Sequence, residues 1–201
     1  MQILHRFAGS IQQYLEQISD PDICRPDHCP LCHALHRLIA WGFYRRSLVD
    51  LEFDGFIPVR RFRCIFCRRT VSVLPEFVLP YLRFSILVIS LFLVARLLKE
   101  RTLKAAAAAS SQPDMPYQRG QFWIRRFRAQ AIALCAALGA RTAAISATTF
   151  LEKALKMLQA IGWIPAHRFL FSELRFHLLG WPRFLAPSGF AVRLQPAEAK
   201  T

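Results

Sequence analysis

Cys29-Pro30-Leu31-Cys32 and Cys64-Ile65-Phe66-Cys67 are the two stretches that decide the fold of this 201-residue chain. In each stretch two residues separate the cysteines, so one tight turn can direct both thiolates at a single ion. Zinc takes four such ligands in a tetrahedron, which requires the two turns to come together. The spacing therefore predicts one structural zinc ion on Cys29, Cys32, Cys64 and Cys67, with no open position for catalysis.

The segment between the two cysteine pairs is suited to bringing them together. Residues 36–45 and 56–63 are rich in aromatic and β-branched side chains, which is typical of strands. Asp54-Gly55 supplies turn chemistry between these strands. We therefore expect two cysteine turns carried on β-hairpins, the arrangement called a zinc ribbon.

Other cysteines and histidines near the first pair leave the ligand set open. Cys24, His28, His33 and His36 can each replace a ligand, although a surface position is the simpler expectation for all four. Cys135 lies in an Ala-rich segment and is expected to be a small core residue. Because the N-terminal residues show no export signal, metal binding in a reducing cytoplasm is favoured over disulfide formation.

Positive charge is concentrated beyond the first quarter of the chain. Residues 1–54 hold five arginines against seven acidic residues, whereas residues 55–201 hold 22 Lys or Arg against six. Such a one-sided field favours a nucleic acid or an acidic membrane surface as partner. The apolar stretch 84–95 is closed by Arg83 and Arg96 and is shorter than the roughly 20 residues that span a bilayer. It is therefore predicted to be a buried helix.

The second half of the chain shows helical patterns. A helix is predicted over 81–100, and Thr102 is expected to cap a short Ala-rich helix over 103–109. A Ser- and Pro-containing break at 110–116 then precedes a third helix that begins at Tyr117.

The third helix carries two distinct faces. Helical spacing makes one packing face of Tyr117, Gly120, Ile124, Phe127 and Ala131. A polar face consists of Gln118, Gln121, Arg125 and Arg128, with Arg119 and Arg126 beside it. In a DNA major groove, Arg can reach guanine and Gln can reach adenine. This pattern is interpreted as a helix-turn-helix recognition helix, and the alternative is a solvated basic face on an ordinary core helix.

A second group of basic residues surrounds the second cysteine pair. It consists of Arg60, Arg61, Arg63, Arg68 and Arg69. These side chains are candidates for phosphate contacts that add affinity without sequence preference. Exposed strand-edge charges that only aid solubility are an equally good interpretation.

The C-terminal region gives weaker functional signals. Thr149 and Glu152 form a capping box that opens a helix ending near Gly162 and Pro165. Its stripe of Leu151, Leu155 and Leu158 predicts a core or dimer contact. The tail over 167–194 can dock on the body of the protein, contact a membrane surface or fold on a partner, and docking is the default expectation.

The region from Cys29 to about Ser85 resembles the zinc-ribbon domain of bacterial insertion-sequence transposases and their relatives. The resemblance rests on Cys29-Pro-Leu-Cys32, Trp41-Gly-Phe-Tyr-Arg45, the stretch from Ile57-Pro-Val-Arg-Arg through Cys64-Ile-Phe-Cys67 to Arg69-Thr-Val-Ser72, and Leu74-Pro-Glu-Phe-Val-Leu-Pro80. More narrowly, it resembles an uncharacterised bacterial family of ribbon plus helix-turn-helix proteins found near mobile elements. What the resemblance implies is DNA binding in a mobile-element setting. His33 and Arg68 depart from it, because many ribbons carry Gly there to permit a positive φ angle.

These observations predict an α+β fold with three parts. Residues 1–80 are expected to form an N-terminal helix and zinc ribbon, residues 81–140 a helix-turn-helix-like domain, and residues 141–201 a helical extension and tail. The chain shows no Ser-His-Asp order, Gly-rich phosphate loop or His-Glu-x-x-His motif, so no catalytic site is predicted.

The function expected from the sequence is a zinc-stabilised, non-catalytic DNA-binding protein with a regulatory or transposition-associated role. Double-stranded DNA is the expected partner, together with a homodimer or a transposition protein, in a cytoplasmic, nucleoid-associated setting. A zinc-ribbon adaptor for other proteins, or the N-terminal part of a transposase, remain the alternatives.

Overall fold

The fold is mixed α+β, as the sequence predicts, and the computed structural model describes residues 1–20 and 22–182. Its first half holds β1 (Gln2–His5), α1 (Ile11–Gln17), β2 (Ile39–Val49), β3 (Asp54–Arg63) and β4 (Thr70–Pro75). Its second half holds α2 (Ile86–Leu97), α3 (Leu103–Ala109), α4 (Tyr117–Leu138), a 3-10 turn (Gly139–Arg141), α5 (Phe150–Ile161) and α6 (Trp163–Ser172).

The four strands form one sheet in the order β1-β4-β3-β2. β3 is antiparallel to both of its neighbours, and β1 joins the other edge parallel to β4. The predicted turn at Asp54-Gly55 is wrong, because these two residues already pair with Val49 and Leu48 in the ladder. The turn of the β2–β3 hairpin consists of residues 50–53 instead.

The helix predicted over 81–100 begins later, at Ile86, because the preceding residues are tied to the sheet. Ser85 donates its backbone N–H to Val49, and its hydroxyl accepts from the N–H of Val88 as the N-cap of α2. Seven of the twelve residues of α2 are buried, which confirms the predicted buried helix. No helix within residues 1–20 and 22–182 combines the length and hydropathy needed to span a membrane.

The remaining helices follow the sequence signals with one exception. Thr102 caps α3 through the N–H of Ala105, and Thr149 caps α5 through the N–H of Glu152. Gly162 ends α5 at a φ of 91°, as predicted. Pro165 does not stop the chain from continuing as α6, because a proline in the first turn of a helix forfeits no intrahelical hydrogen bond.

The protein has two hydrophobic cores, one made by residues up to Val78 and the other by residues from Leu79 onward. The first packs α1 against the sheet, with Tyr14 and Phe62 among its fully buried rings. The second runs without interruption through α2 to α6. Trp123 lies at its centre, edge-on to Phe84 and Phe92 at ring-centroid distances of 4.9 and 5.3 Å.

A group of cationic and imidazole side chains ties the two cores and the C-terminal segment together. Arg46 of β2 donates to the carbonyls of Leu79 and Leu82 at 2.6 and 2.8 Å. His177 contacts the carbonyl of Pro80 at 2.9 Å, and Arg126 of α4 donates to the carbonyl of Leu179 at 2.6 Å.

These contacts confirm the default docking of the tail for residues 173–182, since Leu178 and Leu179 lie in the second core. Residues 167–172 of the predicted tail belong to α6, and its residues 183–194 lie outside the described residues.

The glycine of α4 is predicted to be indispensable for helix packing. A Cβ at Gly120 would lie 2.7 Å from the ring tip of the fully buried Phe92. We therefore expect Gly120→Ala to lower the free energy of unfolding by about 1–3 kcal/mol, despite alanine's better helix propensity. Gly139→Ala is the matched control, because a Cβ there would meet nothing within 4 Å. Urea unfolding of both variants tests this, and equal stability of the two would contradict it.

Two buried histidines predict a loss of stability in mild acid. Burial lowers the pKa of His167 to about 3 and that of His177 to about 4. Because these values lie below the ordinary pKa of about 6.5, the unfolded chain binds protons that the folded chain does not. The two neutral histidines therefore contribute fully to the free energy of unfolding above about pH 6.5. This contribution declines as the pH falls below that value, by roughly 1 kcal/mol per histidine at pH 5.5.

The measurement is urea unfolding from pH 7.5 to 5.5, monitored by tryptophan fluorescence of the helical core. His167→Phe should make the pH dependence shallower, whereas His28→Gln, which removes an exposed histidine, should leave it unchanged. An identical slope in the parent protein and in His167→Phe would show that His167 is not responsible.

Candidate metal centre and basic surfaces

Two turns of the same backbone geometry carry the cysteine pairs, and we call them the knuckles (residues 29–34 and 64–69). The N–H of Cys29 donates to the carbonyl of Ala34, and the N–H of Cys64 donates to that of Arg69, both at 3.1 Å. His33 and Arg68 have φ angles of 58° and 56°. The left-handed conformation that many ribbons assign to glycine is thus adopted here by two non-glycine residues, at a cost of about 1–2 kcal/mol each.

The knuckles bring the four predicted cysteines into one group. Their sulfur atoms all lie within 4.8 Å of one another, and the group could hold a metal ion. Across the two knuckles, Sγ of Cys29 lies 3.8 Å from that of Cys67, and Sγ of Cys32 lies 3.6 Å from that of Cys64. Cys29 and Cys64 are buried, whereas Cys32 is exposed, so the group lies at the surface end of the sheet.

His36 contacts this group although it is not one of the four. Its Nε2 lies 3.1 Å from Sγ of Cys64, while its Nδ1 lies 2.9 Å from the carbonyl of Arg37. Burial raises the pKa of the Cys64 thiol. Hydrogen bonds from the Cys67 backbone and the His36 ring lower it by a larger amount, so that the resulting pKa is about 6. Cys64 therefore supplies a thiolate, the form that binds metals, near neutral pH.

The other candidate ligands lie elsewhere. Cys24 is buried in the first core, so the surface position expected for it is wrong, and burial raises the pKa of its thiol to about 11. His28 and His33 are exposed. Cys135 is a buried core residue, as predicted, and its thiol contacts the carbonyl of Phe150 at 3.3 Å.

The polar face predicted on α4 is exposed to solvent. Gln118, Arg119, Arg125 and Arg128 are exposed, and Gln121 is half-buried with its amide donating to the hydroxyl of Tyr117. Behind this face, Gly120, Ile124, Phe127 and Ala131 are all buried, as predicted. Tyr117 is the exception, because it lies at the exposed first position of the helix.

Two arginines that the sequence assigned to DNA contacts donate their hydrogen bonds to carbonyls of the protein itself. Arg126 donates to backbone carbonyls at residues 179–181 and so holds the C-terminal segment on α4. Arg60 is buried, donates to the carbonyl of Ser19 at 2.8 Å and lies 4.0 Å from the ring centroid of Phe43. Neither guanidinium is free to reach a phosphate.

The other members of the second basic group remain at the surface. Arg68 and Arg69 are exposed on the second knuckle, and Arg61 and Arg63 are half-buried on β3. Arg63 lies 4.5 Å from the ring centroid of Trp41, and Arg45 lies 4.5 Å from that of Phe56. In the sequence these aromatic residues indicate only strands, because their pairing with arginines depends on the register of β2 against β3.

Comparison with known families places the metal centre inside a described domain. Residues 29–112 match a family described as a domain of unknown function (DUF6431). The match starts at the first cysteine of the metal group and ends just after α3, so it covers less than half of the chain and stops before α4. Comparisons with curated proteins and with solved structures give no match. The metal group thus lies inside the domain, and the polar face of α4 lies outside it.

Loss of one knuckle cysteine should abolish metal binding. We expect the purified protein to contain one metal ion per chain and Cys64→Ser to contain none, because three remaining thiolates hold the ion far more weakly. Cys24→Ser is the control, since Cys24 lies outside the group and should leave the stoichiometry unchanged. Elemental analysis of gel-filtered protein is the measurement. A full metal complement in Cys64→Ser would contradict the assignment.

Proposed function

We propose that this protein is a zinc-stabilised DNA-binding protein that reads the major groove with α4 and has no catalytic role of its own. The observation that carries the proposal is the face made by Gln118, Gln121, Arg125 and Arg128. These residues recur at intervals of three or four, so they lie along one side of the helix. The opposite side is anchored in the second core through Trp123 and its neighbours.

The charge of α4 supports contact with a polyanion. The helix contains no acidic residue, and Arg119, Arg125 and Arg128 make no ion pair within the described residues. Such guanidinium groups remain available to phosphates or to guanine, while the Gln amides suit adenine.

The elements before α4 support a variant of the helix-turn-helix arrangement. α3 leads into a turn that contains Ser111 at a φ of 57° and ends at Pro116. The missing side chain of Gly120 lets α4 pack closely on Phe92 of α2 and Leu103 of α3. In this arrangement, α2 and α3 support the helix that enters the groove. The seven-residue connection is longer than the usual turn.

Zinc is the metal that we propose for the cysteine group. A tetrahedron with Zn–S bonds of about 2.3 Å has edges of about 3.8 Å. The sulfur separations of 3.8 and 3.6 Å across the knuckles fit this requirement. Four cysteine ligands leave no position for substrate, so the proposed role of the ion is to hold the hairpins in place. The resemblance of the knuckle region to transposase zinc ribbons supports a regulatory or transposition-associated role.

The test of this proposal is duplex DNA affinity, measured by fluorescence anisotropy over a salt series. We expect Arg125→Ala with Arg128→Ala to weaken binding at least tenfold and to reduce the salt slope by about two. The control is Arg6→Ala with Arg175→Ala, which removes the same charge from exposed positions outside α4. Equal affinity in the two double variants would reject α4 as the DNA-binding helix.

A protein-interaction adaptor is the second candidate, favoured by apolar residues at the tips of the knuckles. Leu35, Ile65 and Phe66 are exposed large hydrophobic side chains beside the metal group. Such side chains are common in surfaces that dock on other proteins. An adaptor should bind nucleic acid weakly and with little dependence on salt, which the same titration measures.

A further inference from the structure

We infer that the outer face of α2 is a contact surface for a second copy of this chain, which packs on it in the antiparallel direction. The outer face consists of Leu87, Leu91, Val94 and Leu98, the last of which is the C-cap of α2. The inference goes beyond the proposed function, because it concerns another helix and requires no nucleic acid.

The four side chains of the outer face lie on one side of the helix. They follow one another at intervals of four, three and four residues. Because successive residues of an α-helix are about 100° apart, all four fall within a sector of about 60°. Leu87 and Leu91 are 43% and 36% exposed, and Val94 and Leu98 are half-buried. The same alternation of three and four residues forms the contact seam between paired helices.

The outer face carries no charge. Arg96 is the only charged residue of α2, and it lies nine residues from Leu87, which places it on the opposite side of the helix. Ser90, the only other polar residue of α2, is buried. A continuous apolar stripe at the surface marks a place where another apolar surface binds. The outer face therefore favours a second helix of the same apolar kind.

The stripe on α5 that the sequence offers for a core or dimer contact belongs to the core. Leu155 and Leu158 are fully buried, and Leu151 packs against the second core. A contact between two copies of the chain therefore has to use another face, and the outer face of α2 is exposed.

The N-terminal end of α2 is acidic, because the β2–β3 turn lies beside it. Asp50 accepts a hydrogen bond from the hydroxyl of Ser85, the N-cap of α2, and Asp54 pairs with Arg83. Glu52 is exposed and makes no ion pair within the described residues. Three acids thus lie at this end, and one of them is neutralised.

The C-terminal end of α2 is basic. Lys99, Arg101 and Lys104 are exposed there, with Glu100 as the one acid among them. The N–H of Arg101 donates to the carbonyl of Ala95, which holds this residue against the last turn of the helix. Arg101 makes no ion pair within the part of the chain that the structure describes.

This distribution of charge selects a second copy of the chain as the occupant. With a two-fold axis midway between Leu87 and Leu98, Leu91 of each copy faces Val94 of the other. The basic end of each copy then meets the acidic end of the other, and Arg101 approaches Glu52. A surface of this kind is self-complementary, as a two-fold interface requires. Parallel packing would instead bring like charges together.

The size of the outer face predicts a dimer that dissociates on dilution. From Leu87 to Leu98 the face is about 16 Å long. Four side chains bury less than the roughly 800 Å² per partner of a standard interface. The association is therefore expected to depend on protein concentration.

The first experiment is sedimentation equilibrium of the zinc-loaded full chain without nucleic acid, from about 1 to 100 μM. We expect a monomer–dimer equilibrium, and Leu91→Glu should weaken it at least tenfold because two carboxylates would be buried in the seam. Ile132→Glu is the matched control, since Ile132 is 57% exposed on α4, outside the outer face. Circular dichroism checks that both variants are folded.

The second experiment reverses the charges at the two ends, at low ionic strength. Glu52→Lys and Arg101→Glu should each weaken the dimer about threefold, because like charges then face each other. An equimolar mixture of the two variants should recover the parent affinity, because every contact between unlike copies joins opposite charges. Such recovery cannot arise from a change in the folding of either variant.

Four results would overturn the inference. They are a monomer at every concentration up to about 100 μM, equal weakening in Leu91→Glu and Ile132→Glu, and no recovery in the mixture. The fourth is a monomer that binds anionic vesicles and loses this binding with Leu91→Glu, which would assign the outer face to membranes. Arg125→Ala with Arg128→Ala should still dimerise, so a failure of the proposed DNA binding remains distinguishable from a failure of this inference.

Discussion

The convergence of four cysteine sulfur atoms on one point is the constraint on which the first half of the structure depends. The two pairs are 31 residues apart in sequence, and the intervening chain is the β2–β3 hairpin, whose length and register bring the second knuckle to the first. Closing such a loop costs conformational entropy, which metal binding can offset. The backbone at His33 and Arg68 accepts strained φ angles to make the closure possible.

The same register has consequences at a distance from the metal group. It places Arg60 under Phe43 and directs Arg46 of β2 towards the carbonyls of Leu79 and Leu82. Through Arg46 the sheet is connected to the start of the helical core, where His177 also contacts Pro80. The cysteine group, the hairpin register and the position of the helices are therefore physically connected, although the two hydrophobic cores are separate.

The metal group and the polar face of α4 belong to different parts of the chain. The matched domain of residues 29–112 contains the metal group, whereas the polar face of α4 lies beyond it.

Local sequence signals were sufficient for much of the fold. Cys-x-x-Cys spacing identified all four members of the metal group, capping residues located α3 and α5, and helical periodicity separated the two faces of α4. These features succeed because each depends on residues within a few positions of one another. The α+β class followed from them.

Tertiary structure alone decided the features that depend on distant partners. Ser85 begins α2 because Val49 holds its backbone, and Asp54-Gly55 extends a strand because residues 48 and 49 pair with it. Arg60 and Arg126 look like any other arginines in a basic sequence, but their guanidinium groups donate to the carbonyls of Ser19 and Leu179. The sequence by itself determined which residues could bind a metal and which lie on the solvent-facing side of α4. Which arginines remain free was decided by contacts across long sequence separations, which no local pattern encodes.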